Sequence, residues 1–443
     1  LDRSSAASDV YKRQALTRAV VPPKPALWRR WTALPVFSYY NRLVALVLLV
    51  NAVFVLLAVD FAAITVERLS DMVLINLSLA ILIRQHYLIN ALFWLATRVP
   101  VTWPLRVRRS AAKVYHFGGL HSGAALAATA WFIAMVGVQV ARYLRQPDSV
   151  SSAWLWLTGV LLGLLLLMVS MAQPWIRSRF HNGFERVHRF AGWSALLLFW
   201  ALTLLASSET STSLLHSGSF WMLVLLTLSI ALPWLRLRKV AVEHTRPSGH
   251  AVITRFKHTT PFAGSSTAIS RNPLLEWHSF ANIPAPEAAG FRLIISRAGD
   301  WTGRFIEDLP SHVWVKGITT AGVANVETLF KSVVYIATGS GIGPVMPHLL
   351  AAQVPIQLIW STRSPRKTYG DELVDEILRA QPGALIWDTD ERGKPDLVQL
   401  AYGAVQTFGA EAVICIANQA LTERVVHEME ARGIPAYGAI WDS

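Results

Sequence analysis

Val333-Val334-Tyr335-Ile336-Ala337-Thr338-Gly339-Ser340-Gly341-Ile342-Gly343-Pro344 runs on into Val345-Met346-Pro347-His348-Leu349-Leu350. A β-prone apolar run stops at three spaced glycines, and a helix-like apolar pattern begins behind them. This reads as a strand, a tight turn and a helix N-terminus. Such an end leaves backbone N–H groups and the positive end of a dipole free for a phosphate-bearing ligand. Glycine at 339, 341 and 343 lets a ligand approach the backbone and permits φ > 0 where the turn requires it. Alone, the pattern also fits a plain strand-to-helix connection. Its weight comes from what precedes it.

Of the 443 residues, 53% are hydrophobic, only 16% are charged and 18 are Trp, which sets the chain apart from ordinary water-soluble proteins. The net charge is +13, but the basic residues sit in short clusters beside apolar runs. That placement fits a membrane surface rather than nucleic acid. The single cysteine, Cys415, excludes an internal disulfide and a cysteine-held zinc or iron–sulfur centre. Leu1–Gln14 resembles a translated sequencing-adapter fragment and is set aside from the fold argument; residues 15–42 read as a cytoplasmic N-terminal segment.

Six apolar runs of spanning length follow, at 43–66, 72–97, 112–140, 153–173, 188–206 and 219–235. Together, residues 43–235 read as a six-helix transmembrane domain. Arg29, Arg30 and Arg42 precede the first run. Arg98, Arg106, Arg108, Arg109 and Lys113 separate the second from the third. Arg177, Arg179 and Arg186 separate the fourth from the fifth, and Arg236, Arg238 and Lys239 follow the sixth. The alternate loops are poorer in positive charge, so both termini are expected in the cytoplasm. His116, His121 and His188 open the third and fifth runs. Arg84, Gln85 and His86 fall inside the second, where Asp60 of the first run is a candidate partner for Arg84. Facing histidines can ligate a haem iron or simply hydrogen-bond between helices.

Beyond Lys239 the character changes. Short alternating segments at Val240–Glu243, Ala251–Phe256, Ser266–Ser270, Trp277–Ile283 and Phe291–Arg297 predict a small antiparallel β-barrel over 240–325. From 331 to 443 strands and helices alternate, beginning with Val333–Ala337, which predicts an α/β doubly wound parallel sheet.

Helices, barrel and α/β unit in that order resemble the ferric reductase and NADPH oxidase superfamily. Its soluble half is a ferredoxin–NADP reductase-like module, with an FAD-binding barrel and an NADP-binding α/β domain. Trp277-His278-Ser279-Phe280-Ala281, Ile359-Trp360-Ser361-Thr362-Arg363 and Ile440-Trp441-Asp442-Ser443 look like TmpA-like integral membrane flavoproteins within it. The resemblance implies that His278, Ser279 and Phe280 line the flavin. It implies that Gly299, Asp300, Trp301 and Thr302 form a family motif in which Thr302 starts a short helix whose N–H groups face the FAD pyrophosphate. Gly339, Ser340, Gly341, Ile342, Gly343 and Pro344 would form the dinucleotide loop, and Arg363 would pair with the 2′-phosphate of NADPH. Lys394 would also contact that cofactor, and Trp441 would shield the flavin.

The chain departs from the family in several places. Lys316-Gly317 lacks the following Pro and aromatic, and Ile416-Ala417-Asn418 replaces the Cys-Gly-Pro beside the nicotinamide. In the membrane half, His116 and His188 match the inner pair of haem ligands, whereas the outer positions hold Thr129–Ala130 and Ala201–Leu202, about 20 Å deeper. The expectation is therefore at most one haem b, on His116 and His188, with His121 and His86 as a competing pair. The function implied is a membrane-bound flavoprotein oxidoreductase that carries a hydride from NADPH to FAD. The electrons then pass to an unidentified acceptor in the cytoplasm or the bilayer. A degenerate reductase acting as a nucleotide or flavin sensor is the alternative, and a transporter is disfavoured because no inverted repeats are evident.

Overall fold

The computed structural model describes residues 16–30, 34–58, 64–210, 213–285 and 289–439. Leu1–Gln14, Asp60 and Trp441 lie outside them. The first half is helical: α1 (Tyr39–Ala58), α2 (Val66–Leu82), α3 (His86–Ala96), α4 (Gly118–Arg145), α5 (Ser152–Met171), α6 (His181–Thr210) and α7 (Gly218–Leu235). Five stretches are long and apolar enough to cross a membrane, or six if the bent pair α2–α3 counts as one. Their outer faces are apolar, with Leu57 82% and Trp156 76% exposed.

Small residues and amides hold these helices together, as is usual where an apolar surround gives helices no reason to cluster. A Cβ on Gly119 would stand 2.4 Å from the Tyr40 carbonyl oxygen, and one on Gly123 would stand 3.0 Å from Val47, so α4 lies directly on α1. The amides of Asn51 and Asn76 each donate to the other's oxygen at 3.0 and 2.9 Å, and Trp131 Nε1 donates to Asn51 Oδ1 at 2.8 Å.

The run 72–97, which reads as one span in the sequence, is two helices bent by 71°. This corrects the sequence reading. α2 has 17 residues, about 26 Å of rise, short of a hydrocarbon core of about 30 Å. α3 then turns away and docks on the second half of the chain. Ile89 and Phe93 join the buried cluster that also holds Tyr335 and Ile414. The Asn90 side chain donates to Thr319 O and accepts from Ala321 N, both at 2.9 Å. Those contacts take the amphipathic end of the run out of the bundle.

The antiparallel module has two sheets, β1-β8-β4-β5 with β9 on β4, and β2-β3-β7-β6. They are built from β1 (Leu237–Ala241), β2 (Glu243–Thr245), β3 (Ala251–Phe256), β4 (Ser265–Ser270), β5 (His278–Ala281), β6 (Ile283–Pro284), β7 (Phe291–Ser296), β8 (His312–Lys316) and β9 (Thr320–Ala321). Two stretches expected as single strands each turn a corner: Val240–Glu243 passes from β1 to β2, and Trp277–Ile283 passes from β5 to β6. The sheets close over Val252, Phe256, Ile269, Leu293 and Ile295, together with Phe305 of α8 (Asp300–Asp308).

The last module is a five-stranded parallel sheet in the order β12-β11-β10-β13-β14. Its strands are β10 (Val333–Thr338), β11 (Ile356–Thr362), β12 (Leu385–Asp388), β13 (Ala412–Ile416) and β14 (Ala436–Gly438). Its helices are α9 (Ile342–Ala351), α10 (Asp371–Ala380), α11 (Leu397–Phe408) and α12 (Gln419–Glu430). Along β10, Val333, Tyr335 and Ala337 enter one core while Val334 and Ile336 enter the other. This is the period of two expected of a strand covered on both faces.

Buried ion pairs join the modules. Arg108 donates to Glu411 at 2.6 and 3.3 Å and to Leu329 O at 2.9 Å. Lys113 meets Glu430 and the Ala436 carbonyl, and Arg292 of β7 forks onto Glu376 of α10 at 2.5 and 2.6 Å. Arg108 and Lys113, which read as membrane-flanking charges in the sequence, thus serve as ties between the helices and the α/β module. Removing one member of such a pair leaves a buried charge alone, at a cost of about 3–5 kcal/mol. Arg108→Met is expected to lower the midpoint of denaturation in detergent and to open the junction to proteolysis. Arg108→Met combined with Glu411→Leu should recover most of that loss.

Candidate functional site

The order of the parallel sheet reverses between β10 and β13, and in open α/β sheets it is at the C-terminal strand ends of such a switch point that a ligand crevice lies. Gly339 lies at φ +51, and the stretch Gly339–Gly341 forms a single tight turn before α9. A Cβ on Gly341 would stand 2.1 Å from the Ile416 carbonyl oxygen, so only glycine lets the loop settle on the end of β13. Gly343 faces Ile294 of β7 at 3.7 Å, which brings the antiparallel module against the loop. The indole of Trp360 donates to Gly339 O at 2.9 Å and steadies the turn from β11. Ser340, Ile342 and Pro344 complete the turn and the first residues of α9. That helix is held from behind by buried Glu327, which accepts from Tyr335 at 2.8 Å and lies 2.6 Å from His348 Nδ1.

Arg363 follows β11 and is 84% exposed, with its Nε 3.5 Å from Asp390. Ser364 binds Asp388 through its N–H at 3.0 Å and Asp390 through its hydroxyl at 2.8 Å. The guanidinium is thus free to meet an anion, with two carboxylates in the same corner. Gly393, at φ +70, accepts from the Trp387 indole at 2.8 Å and presents the exposed Lys394.

In the antiparallel module, His278 stacks on Trp301 with ring centres 4.0 Å apart. Trp301 continues onto Phe280 at 6.3 Å and Phe305 at 5.1 Å, and it donates to Glu276 at 2.7 Å. Ser279 lies on the exposed side of the strand. Nε2 of His278 is buried without an internal partner. Burial keeps this imidazole below its usual pKa, with Glu276 opposing.

Two expectations change here. Gly299, not Thr302, caps α8, and Asp300 begins it. Thr302 is the third residue, and its hydroxyl accepts from the N–H groups of Ala298 and Gly299 at 2.9 and 3.1 Å. Its oxygen therefore shapes the turn and is not left for a phosphate. Cys415 is wholly buried on the opposite face of β13, in the cluster with Val334 and Ile336. Burial pushes its thiol up to about 12, so it cannot substitute for the family's cysteine. Asn418 instead caps α12 through Leu421 N at 3.0 Å.

His116 and His188, the pair expected on a haem, have different ring neighbours. The His116 ring lies against Tyr115 at 4.2 Å and Tyr39 at 6.2 Å, whereas His188 faces His121 at 6.0 Å and Phe184 at 5.4 Å. His116 belongs to the tight turn Ala112–Phe117 that precedes α4, whereas His121 lies in α4 itself. Among the described residues no group of three or more His, Cys, Asp or Glu gathers as for a metal ion.

The sequence reading missed Lys316 as a site residue. It ends β8 with its ammonium 4.8 Å from the centre of the Trp277 ring, on the seam between sheet and helices. Burial first, and then the cations Arg189 and Arg84, depress it to about 8, with Glu185 opposing. A lysine that closes an inward-facing strand was the available signal.

Residues 323–443 match the family model described as Adenylate-forming reductase 03009, C-terminal domain. Over 415 residues the chain is 42% identical to Adenylate-forming reductase 03009 of Coprinopsis cinerea, covering 92% of this chain and 40% of that protein. It is 42% identical over 419 residues to Adenylate-forming reductase 06235 of the same organism, again covering 92% and 40%. The chain thus spans 40% of the length of these curated relatives. A ferredoxin-NADP+ reductase from Plasmodium falciparum aligns with 10% identity and a TM-score of 0.36, over 46% of this chain and 96% of that one. The Neisseria gonorrhoeae ferredoxin NADP+ reductase, a structure with bound FAD and NADP, gives 13% identity and a TM-score of 0.34, over 46% and 99%. The strand orders described above, not these superpositions, define the fold.

Because Lys316 has a lower pKa in the folded chain, unfolding takes up a proton wherever the pH lies between about 8 and the ordinary value of 10.5. Stability attributable to this group therefore rises with pH across that window, and the cost of burying the charge is felt in full below it. Lys316→Met is expected to raise the melting temperature at neutral pH and to flatten the rise between pH 8 and 10.5. Melting curves across that range test both effects.

Proposed function

We propose that the chain is a membrane-bound flavoprotein oxidoreductase that accepts a hydride from NADPH and passes electrons to a second substrate. One observation carries the reading. The glycine turn at the switch point of the parallel sheet is closed from one side by Ile416 and from the other by β7 of the antiparallel module, leaving a crevice between two modules. Similarity to reductases over 92% of the chain and the resemblance to ferric reductases support it. In this reading both termini lie on the cytoplasmic side of a membrane, which the basic residues at alternate loops of the apolar helices support.

In this reading the first turn of α9, with Gly339–Pro344, receives the dinucleotide pyrophosphate on backbone N–H groups. Arg363 takes the 2′-phosphate and Lys394 reaches the same cofactor. FAD would be held by His278 and Phe280, with the start of α8 at Gly299–Thr302 as the backbone cradle for its pyrophosphate. Its chemistry is to accept a hydride and release electrons singly. The partnerless Nε2 of His278 fits a polar edge of such a ring. Trp301 stacks behind His278 and fixes its plane, while Glu276 orients Trp301. No haem enters this reading.

A second reading follows from the coverage of the relatives: the chain is the electron-delivering part of a longer adenylate-forming reductase. NADPH oxidation on adding an acyl adenylate, but not an apolar acceptor, would favour it.

The purified protein in detergent is expected to show a flavin absorption band that NADPH bleaches; a bound flavin that NADPH leaves oxidised would indicate a sensor. Arg363→Ala removes charge-assisted hydrogen bonds of about 1.5–3 kcal/mol each. It is therefore expected to raise the Michaelis constant for NADPH about tenfold or more and to leave that for NADH nearly unchanged. Equal losses would assign the corner to Asp388 and Asp390 holding an unphosphorylated ribose.

A further inference from the structure

A cavity of about 930 Å³ lies among α1, α4, α5, α6 and α7, at the upper end of the roughly 300–1,000 Å³ typical of ligand pockets. Its wall is mostly apolar, with Leu165, Met168, Ala195, Phe199, Leu223 and Leu226; four histidines line it, His116, His121 and His188 from the helices and His427 from the α/β module, together with charged side chains such as Arg189 and Glu423. At its far end Thr422, Val426 and Gly438 of the α/β module close it, so it reaches from the helical bundle to the nucleotide-binding half.

Two of the histidines, His116 and His188, have a buried nitrogen with no internal partner. Nδ1 of His121 lies 2.8 Å from the Ala80 carbonyl. A carbonyl only accepts, so Nδ1 carries the proton and Nε2 keeps a lone pair. The His188 ring stands 6.0 Å away. Nδ1 of His188 and Nδ1 of His116 are buried without partners, so no internal contact sets their tautomers. The cavity therefore offers a fixed acceptor beside rings free to donate. A molecule that alternates between carbonyl and hydroxyl oxygens on an apolar ring uses both.

The cavity is also tied to the strand that carries His278. Trp193, on its wall, packs edge-on against Trp234 at 5.1 Å, and Trp234 against Trp277 at 6.4 Å. Trp277 directly precedes His278.

We propose that this cavity is the acceptor site and that its substrate is a quinone drawn from the bilayer. The proposal rests on the oxidoreductase reading above and names its second substrate. The reaction balances as NADPH + H⁺ + quinone → NADP⁺ + hydroquinone: two electrons and two protons reach the ring oxygens, and no further oxidant is consumed. His188 or His116 donates to a quinone carbonyl, and His121 Nε2 accepts from a hydroxyl of the product. The leucine-lined wall takes the substituents and tail.

The test uses the full chain in detergent with a decyl-tailed dimethoxy-methyl-benzoquinone as probe. Binding is read by saturable quenching of tryptophan fluorescence, and turnover by NADPH oxidation. Ala195→Trp, which fills the cavity, and His121→Leu are each expected to weaken binding more than tenfold and to abolish quinone reduction. NADPH should still bleach the flavin in both. His121→Gln, which keeps an acceptor oxygen at similar size, is expected to retain binding, which separates a lost contact from lost folding. Undiminished quenching in Ala195→Trp and His121→Leu would overturn the proposal. So would a Soret band in the purified protein that His121→Leu removes, since the cavity would then hold a haem. If NADPH fails to bleach the flavin of the unmodified chain, the oxidoreductase reading falls instead, whatever the probe does.

Discussion

Burial of Arg108 and Lys113 against Glu411 and Glu430 is the constraint on which the arrangement depends. An isolated charge in that seam would be expensive, so helices and α/β module must meet in the register that pairs both cations. Non-directional packing supplies the rest: Ile89, Phe93, Ala112 and Tyr115 share one core with Tyr335 and Ile414. Arg292 and Glu376 impose the same kind of register between the antiparallel module and α10. Three units are thereby held at fixed positions around two spaces, the crevice at β10 and β13 and the cavity inside the bundle.

The break after α2 shows how this coupling reshapes the helical half. A continuous helix through residues 66–96 would carry Asn90 away from the edge at Thr319 and Ala321. Bending by 71° lets that amide satisfy one backbone donor and one backbone acceptor, and Gln85 turns to Ser229 at 2.9 and 3.1 Å. The geometry places basic and imidazole groups, among them His86, Arg84 and Lys316, on the seam. There, Nδ1 of His86 and Oε1 of Gln85 are buried without an internal partner.

The candidate sites differ in how they use their residues. At the glycine turn the backbone is the binding element, and side chains are excluded by contact with Ile416. Around His278 the aromatic stack and Glu276 orient one imidazole nitrogen. In the bundle, a mostly apolar wall surrounds several histidines, two of which have a buried nitrogen that no internal group meets.

The sequence by itself determined the order of the modules, the strands flanking Gly339–Pro344 and the positions of the long apolar helices. These features rest on local periodicity and on glycine's freedom at φ > 0, and both are written in consecutive residues. It could not show that 72–97 divides, because an apolar run has the same composition whether it faces lipid or a protein core. Nor could it separate β1 from β2 or β5 from β6, since a strand turning from one sheet to the other keeps its alternation. The roles of single residues were settled only in three dimensions. Thr302 went to a turn, Cys415 to the far face of its strand, and His121 rather than His116 to the ring of His188. For Cys415 and His121 the deciding neighbours, Val334 and His188, sit tens of positions away in the chain, whereas Thr302 was claimed by the backbone of its own turn.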